Sequence, residues 1–390
     1  MAAGTYSLKS TVKVERGIDG TPSKPIKLIA DGGRAVFDFN NACAGFIFAG
    51  DYWHVKGIDC TKSGNSLKGI QVSGSHITLE DIRAYENGNT GIQISRYLST
   101  DARDEWPSYD LILNCTSYSD ADAGYEDADG FAAKLTCGDG IVFDGCISYN
   151  NADDGWDLFA KVESGPIGQV TIKNCVAFAN RYGVDGKDEG NGNGFKMGGS
   201  SISGPHKLIN SVAWGNKAKG IDSNSGPDIL VFNSMSFNNG SNNVALYTND
   251  TANTNYYVDG VLSYRTTGTG TNENIKAKGT QDKNNIYGKL NFFWNDGESA
   301  NSEGLKVSDD WFASLEAPYA NASDPYAVAA SLRTSDGRIS LGDFLKLTDT
   351  GVAALTAAGI DAGDVVACLN GSYEAVKDER DIAGSSEDAA

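Results

Sequence analysis

The sequence has few of the residues that most often build metal and redox centres: its 390 residues include 3 His, 3 Met and 7 Cys. Three histidines leave little room for a histidine-rich metal site. No Cys-x-x-Cys occurs, and no Cys/His cluster has zinc spacing. Seven is an odd number, so a fully paired disulfide framework is excluded. Basic residues are outnumbered, with 32 Lys and Arg against 51 Asp and Glu and a net charge of −19. That balance argues against a nucleic-acid or anionic-membrane partner, because phosphate recognition needs a basic face. No apolar run approaches the ~20 residues of a membrane span. The opening Met1-Ala2-Ala3-Gly4 lacks a basic-then-apolar leader. Proline is scarce (8) and helical periodicity is weak, whereas glycine is abundant (47). These features predict an all-β chain rich in turns.

Two short patterns recur along the chain. The first is a β-rich run, then Asn, Asp or Gly, then a small or apolar residue, then an aromatic three further on. It reads Asp81-Ile82 with Tyr85, Asn114-Cys115 with Tyr118, Gly145-Cys146 with Tyr149, and Asn174-Cys175 with Phe178. Asn210-Ser211 with Trp214, Asn233-Ser234 with Phe237, and Gly260-Val261 with Tyr264 continue it, and Asp59-Cys60 reads as an earlier copy without the aromatic. An Asn or Asp usually follows the aromatic. The second pattern is polar-Gly-apolar-x-apolar, as in Lys68-Gly69-Ile70-Gln71-Val72 and Asp154-Gly155-Trp156-Asp157-Leu158. Its glycines are roughly 22 to 39 residues apart. Alternating short strands of this period suit a parallel β-helix, in which like strands stack coil upon coil. Near-constant propeller blades and helical solenoids fit the irregular, period-two pattern poorly. The Cys or Ser of the first pattern would form an inward ladder and the aromatics a second one, making Cys60, Cys115, Cys146 and Cys175 buried small hydrophobes rather than disulfide partners.

Register turns the second pattern into a site. Residues at Gly+1 and Gly+3 should point inward and Gly+2 outward. The outward ladder is then Gln71, Gln93, Ala132, Asp157, Lys196, Asp222, and the residues before the glycines form another: Lys68, Thr90, Asp129, Asp154, Asn193, Lys219. With coils about 4.8 Å apart, Asp129, Asp153, Asp154 and Asp157 crowd one shallow face. Four unpaired carboxylates this close repel, so either some are protonated or a cation holds them together. An all-oxygen, highly charged cluster suits Ca²⁺ better than Zn²⁺ or Mg²⁺. One coil on, Lys196 lies between glycines that keep the surface bare. A divalent cation beside it would favour the free amine, and such a pairing suits proton abstraction α to a carboxylate.

Three stretches carry a family resemblance. They are Asp127-Ala128-Asp129-Gly130-Phe131-Ala132-Ala133-Lys134-Leu135, Asp153-Asp154-Gly155-Trp156-Asp157-Leu158-Phe159, and Asn191-Gly192-Asn193-Gly194-Phe195-Lys196-Met197-Gly198-Gly199. With residues 210–220, they resemble polysaccharide lyase family 9, and the likeness extends over roughly residues 5 to 375. The resemblance implies a right-handed parallel β-helix that cleaves pectic polysaccharides by β-elimination. It also implies Ca²⁺ held by four aspartates, here Asp129, Asp153, Asp154 and Asp157, with Lys196 as base. Asp127-Ala128-Asp129-Gly130 stands where the family has Asn-Ala-Asp-Gly. Ile221-Asp222-Ser223-Asn224 replaces a Phe-Asp-Gln-Asn of pectate-cleaving members, which leaves homogalacturonan and rhamnogalacturonan-I both open as substrates. Family members usually carry an N-terminal cap, so a chain starting in its first strands is expected to be a truncated module.

The expected organisation is a catalytic β-helix over residues 1–304, a C-terminal cap over 305–376 with short helices at 309–316 and 351–358, and a polar tail over 377–390. Insertions 96–109 and 181–193 would wall the site. Arg96, Lys161, Arg103 and Arg181 are candidates to meet an acidic plant cell-wall polysaccharide containing galacturonate, the expected partner of a secreted or cell-surface monomer. Asp185, Asp188 and Glu189 read as a solvated acidic loop rather than a second calcium site. Two rival readings share the architecture: a metal-free pectic hydrolase using a carboxylate pair, and a non-catalytic carbohydrate-binding β-helix with structural calcium. The Gly-His-Gly and Arg-Ile-Lys signatures associated with β-helical polygalacturonases are absent.

Overall fold

A computed structural model describes residues 1–181, 190–249, 255–266, 270–276 and 286–371. The acidic loop at Asp185, Asp188 and Glu189 and the tail from 377 lie outside the described residues. The chain winds through three short strands per coil, and like strands pair in parallel with those of the next coil. One ladder contains Leu111–Leu113, Ile141–Asp144 and Val170–Lys173. A second contains Thr116–Tyr118, Ile147–Tyr149, Val176–Phe178 and Val212–Trp214. A third, of ten strands, contains Ile70–Val72, Ile92–Ile94, Phe131–Ala133, Trp156–Asp157, Phe195–Lys196 and Ile221–Asp222. The first two merge into one network because Leu230–Phe237 and Tyr257–Tyr264 run unbroken through the bend between them.

Both recurring patterns have a local cause. The Asn, Asp or Gly of the first pattern occupies the bend between the first and second ladders, where the backbone is left-handed: φ is 53° at Asn114, 54° at Asn174, 45° at Asn210 and 66° at Gly145. These residue types adopt that conformation at least cost. The Asn or Asp after each aromatic sits at the next bend. There Asn151 Nδ2 donates to Asn180 Oδ1 (3.1 Å), Asn180 to Asn216 (2.9 Å) and Asn216 to Asn239 (2.9 Å), a buried amide ladder. The glycine of the second pattern lies against this ladder. A Cβ on Gly155 would stand 2.5 Å from Gly194 O and 2.8 Å from Asn180 Nδ2, so the position admits no side chain.

The interior is apolar and holds the cysteines. Cys115, Cys146 and Cys175 are fully buried at the first bend, stacked above Ile82 and below Ser211 and Ser234. All seven cysteines are free thiols. Cys60 falls elsewhere than expected. It pairs in register with Ala84 and therefore with Ser117, two positions past the cysteine row, while Ile58 holds the equivalent place at the bend.

The aromatics do stack, but on the outer face. Tyr118, Tyr149, Phe178 and Trp214 lie ring on ring at 5.0, 4.8 and 4.5 Å. They form a second apolar cluster with residues of the C-terminal segment, including Trp311, Phe312, Val328, Phe344 and Leu369. That segment packs along the flank of the solenoid rather than over its last coils alone. Trp214 Nε1 donates to Pro318 O (2.9 Å), Tyr149 Oη to Pro325 O (2.8 Å), and Arg333 to Cys115 O (2.8 Å) and Gly145 O (2.9 Å). The helix expected at 309–316 is a single 3-10 turn, Asp309–Trp311, because the chain then bridges to residues 344 and 347 in extended form. The helix expected at 351–358 is Asp349–Ala357, capped by the Thr348 side chain, and a short helix at Ala327–Ser331 was not anticipated.

Candidate active site

The acidic positions sit on the third ladder, whose register is the one the pattern predicts: Gln71, Gln93, Ala132, Asp157, Lys196 and Asp222 are successive partners. Beneath them the Gly+1 residues Phe131, Trp156 and Phe195 stack inside at 4.8 and 4.9 Å. Each such pair contributes roughly 0.5–1.5 kcal/mol beyond area burial. A slip of one residue would drive the carboxylates into that stack, so the aromatics fix the register of the site.

Carboxylate oxygens of Asp129, Asp154 and Asp157 lie within 4.8 Å of one another. Asp153 stands beside this trio: its Oδ1 accepts from the Asn191 backbone N–H (2.5 Å) and Nδ2 (3.0 Å). Asp154 Oδ1 accepts likewise from Asn193 N (2.7 Å) and Nδ2 (2.9 Å). The face is not shallow. All four aspartates are nearly or fully buried, and Lys196 is 9 % exposed.

Nor are the carboxylates unpaired. Lys196 Nζ is 3.0 Å from Asp154 Oδ2 and 3.6 Å from Asp157 Oδ1. Lys134 Nζ, which the sequence reading gave no role, is 2.6 Å from Asp129 Oδ2 and 3.1 Å from Asp157 Oδ2. Lys134 lies four residues past its glycine, beyond the end of both patterns. Its only sequence signal was a basic residue five after Asp129.

The oxygens fit a cation. Asp154 Oδ2 and Asp157 Oδ1 are buried and accept no hydrogen bond, and the Lys196 ammonium answers them by charge alone, at 3.0 and 3.6 Å. With all four carboxylates ionised, the two ammoniums leave a net charge of −2, which a divalent ion would balance. The donor set is all oxygen, the chemistry of Ca²⁺.

The electrostatics agree. Burial, reinforced by Asp157 and Asp154, lifts Asp129 to about 7 despite Lys134. Burial with Asp154 and Asp129 lifts Asp153 to about 9. Burial also acts to raise Asp157, but Lys196 and Lys134 outweigh it and hold that carboxyl below the usual range. Burial alone would strip the proton from Lys196, yet Asp154 and Asp157 hold its pKa well above that of a free lysine. Lys196 therefore cannot serve as a base while its ammonium answers those carboxylates, and a divalent cation on the same oxygens would release it.

Arg96, Lys161 and Arg103 follow the exit ends of third-ladder strands and join none of the cluster's ion pairs among the described residues. Lys161 is exposed and bridges to Gly165, and Arg103 donates to Pro166 O (2.6 Å). Arg181 starts the second insertion, its backbone N–H bonded to Asn151 O (2.6 Å). The insertion at 96–109 is tied to the N-terminal coils by Arg16, which pairs with Asp101 (2.7 Å) and Glu105 (3.2 Å).

Known proteins share this fold and sequence. The family model described as the Pel9A-like, right-handed β-helix region matches residues 1–255. Proteins named pectate lyase L are 38 % identical in Thermoclostridium stercorarium over 311 residues and in Paenibacillus polymyxa over 376. Those matches cover 79 % and 94 % of this chain, but 24 % and 77 % of the relatives. The chain thus spans about a quarter of the length of the first. The crystal structure of pectate lyase Pel9A superposes with a TM-score of 0.65 at 30 % identity, covering 89 % of this chain and 79 % of that one. A rhamnogalacturonan lyase superposes with a TM-score of 0.66 at 22 % identity, covering 92 % and 90 %, a likeness of fold.

Proposed function

The chain belongs to the Pel9A-like β-helix family, polysaccharide lyase family 9, and from that membership we propose that it is a calcium-dependent lyase that cleaves pectate by β-elimination with Lys196 as base. One observation carries the reading: Lys196 Nζ stands 3.0 and 3.6 Å from the two buried carboxylate oxygens that accept no hydrogen bond. Base and cation-binding oxygens thus share one point of the third ladder. Relatives named pectate lyases support the choice of substrate.

Asp129, Asp154 and Asp157 would hold the ion, with Asp153 completing the set from its place beside them. When bound, Ca²⁺ would neutralise the uronate carboxylate and so acidify the adjacent C5 proton. Lys196, as a free amine, takes that proton. The C–H electron pair becomes the C4–C5 double bond, the C4–O4 bond breaks, and O4 leaves with a proton from water. Asn191 and Asn193 keep Asp153 and Asp154 aimed through paired backbone and side-chain donors. The Phe159 ring, 5.6 Å from Lys196 Nζ, limits the paths open to that side chain. A polymeric plant cell-wall substrate places the enzyme outside the cell that makes it.

The test is product chemistry on polygalacturonate. Ultraviolet-absorbing unsaturated ends that form with calcium and cease with a chelator are expected. Saturated reducing ends alone, unaffected by the chelator, would instead establish a hydrolase.

A further inference from the structure

The row of residues preceding the third-ladder glycines reads Lys68, Thr90, Asp129, Asp154, Asn193 and Lys219. Backbone bonds stack them coil on coil: Gly69 N donates to Thr90 O, Gly91 N to Asp129 O, Gly130 N to Asp154 O, Gly155 N to Asn193 O, and Gly194 N to Lys219 O. The aspartates of the proposed ion site lie mid-row, and a lysine stands two coils away on either side.

The two lysines differ. Lys219 is already answered, with its ammonium 2.8 Å from Asp222 Oδ2 and 3.4 Å from Tyr247 Oη. Lys68 is half-buried, and among the described residues its ammonium has no hydrogen-bond or ion-pair partner. Burial and the nearby Lys134 ammonium push its pKa down, against a weaker opposing pull from Asp127. A half-buried cation with no hydrogen-bond or ion-pair partner, met only by the more distant Asp127 charge, lies in the row that carries the ion site and is poised for an external anion.

We infer that Lys68 reads a uronate carboxylate in a subsite remote from the scissile bond, so that the groove recognises a second uronate of the chain beyond the one that reacts. This rests on the proposed lyase reading. Lys68 lies four coils from Lys196, about 19 Å along the solenoid at ~4.8 Å per coil. Only an oligomer several residues long can touch both.

The experiment measures kcat and KM at saturating calcium on oligogalacturonates of increasing length, with wild type, Lys68→Met and Lys68→Arg. Lys68→Met should raise KM about tenfold, the scale of one charge-assisted hydrogen bond, for polygalacturonate and for oligomers that span four coils. It should leave kcat at every length, KM for the shortest cleaved oligomer, and Tm unchanged. Lys68→Arg should restore most of the loss. A KM change equal at all lengths, as general damage to the groove would produce, or no change at any length, overturns the inference and leaves the lyase reading standing. A wild type that forms unsaturated ends from no uronate polymer overturns both.

Discussion

Replacing Lys134 by methionine keeps most of the length of the side chain and removes its charge. In the metal-free protein that charge answers Asp129 Oδ2 at 2.6 Å and Asp157 Oδ2 at 3.1 Å, both in buried side chains. Breaking a buried pair from one side costs roughly 3–5 kcal/mol. Asp129, already lifted to about 7 by burial, can instead take up a proton, which offsets part of the cost below neutral pH. A metal-free loss of ~2–4 kcal/mol at pH 8, smaller at pH 6, is therefore expected. The same change removes a positive charge from beside the ion-binding oxygens, so calcium should bind more tightly. Each tenfold gain in affinity returns ~1.4 kcal/mol of stability at saturation. Calorimetric Tm values in chelator and in excess calcium, together with a calcium titration, read both effects. The deficit of Lys134→Met should be large in chelator and shrink with calcium. An equal deficit under both conditions, or weaker calcium binding, would refute the assignment of Lys134 as the cation that holds the metal-free cluster.

Two further variants test other parts of the account. Asp120 occupies an amide-ladder position, where burial raises it to about 7 although Asn87 and Ser117 donate to it. A carboxyl raised above its unfolded value stabilises the fold fully below pH ~4 and loses that contribution as pH rises through 7. Asp120→Asn should thus stabilise the protein by roughly 2 kcal/mol or more at pH 8, with the gain fading toward pH 4 in a series of melting curves. Trp214, fully buried between the solenoid and the C-terminal segment, should cost ~3–5 kcal/mol as Trp214→Ala. It should lower Tm while leaving calcium affinity as in wild type, because it lies on the outer face of the second ladder, away from the third; altered calcium affinity would contradict the separation of the two faces.

The third ladder was legible in the sequence because its glycines mark every coil and the flanking residues keep strict two-fold alternation. That alternation fixed which aspartates and which lysine would meet. The second ladder was harder to read. All residues of Thr116–Tyr118, Ile147–Tyr149 and Val176–Phe178 are buried, since the interior covers one face and the C-terminal segment the other. The pattern therefore carries no sign of which way the aromatics point. Cys60 was placed two positions out because a short Asp-Cys pair resembles the later Asn-Cys bends, whereas the left-handed residue of that coil is Gly57 (φ 74°). Lys134 was missed because it lies past the end of its strand, where spacing says nothing about direction.

The central claim is that Lys196 acts as the base while the aspartates hold the ion, and one pair of measurements on Lys196→Ala separates the roles: calcium affinity by titration calorimetry and formation of unsaturated product from polygalacturonate. Calcium binding at least as tight as in wild type, with product formation lost, is the predicted result. Lost calcium binding, or unsaturated product formed at the wild-type rate, would contradict it.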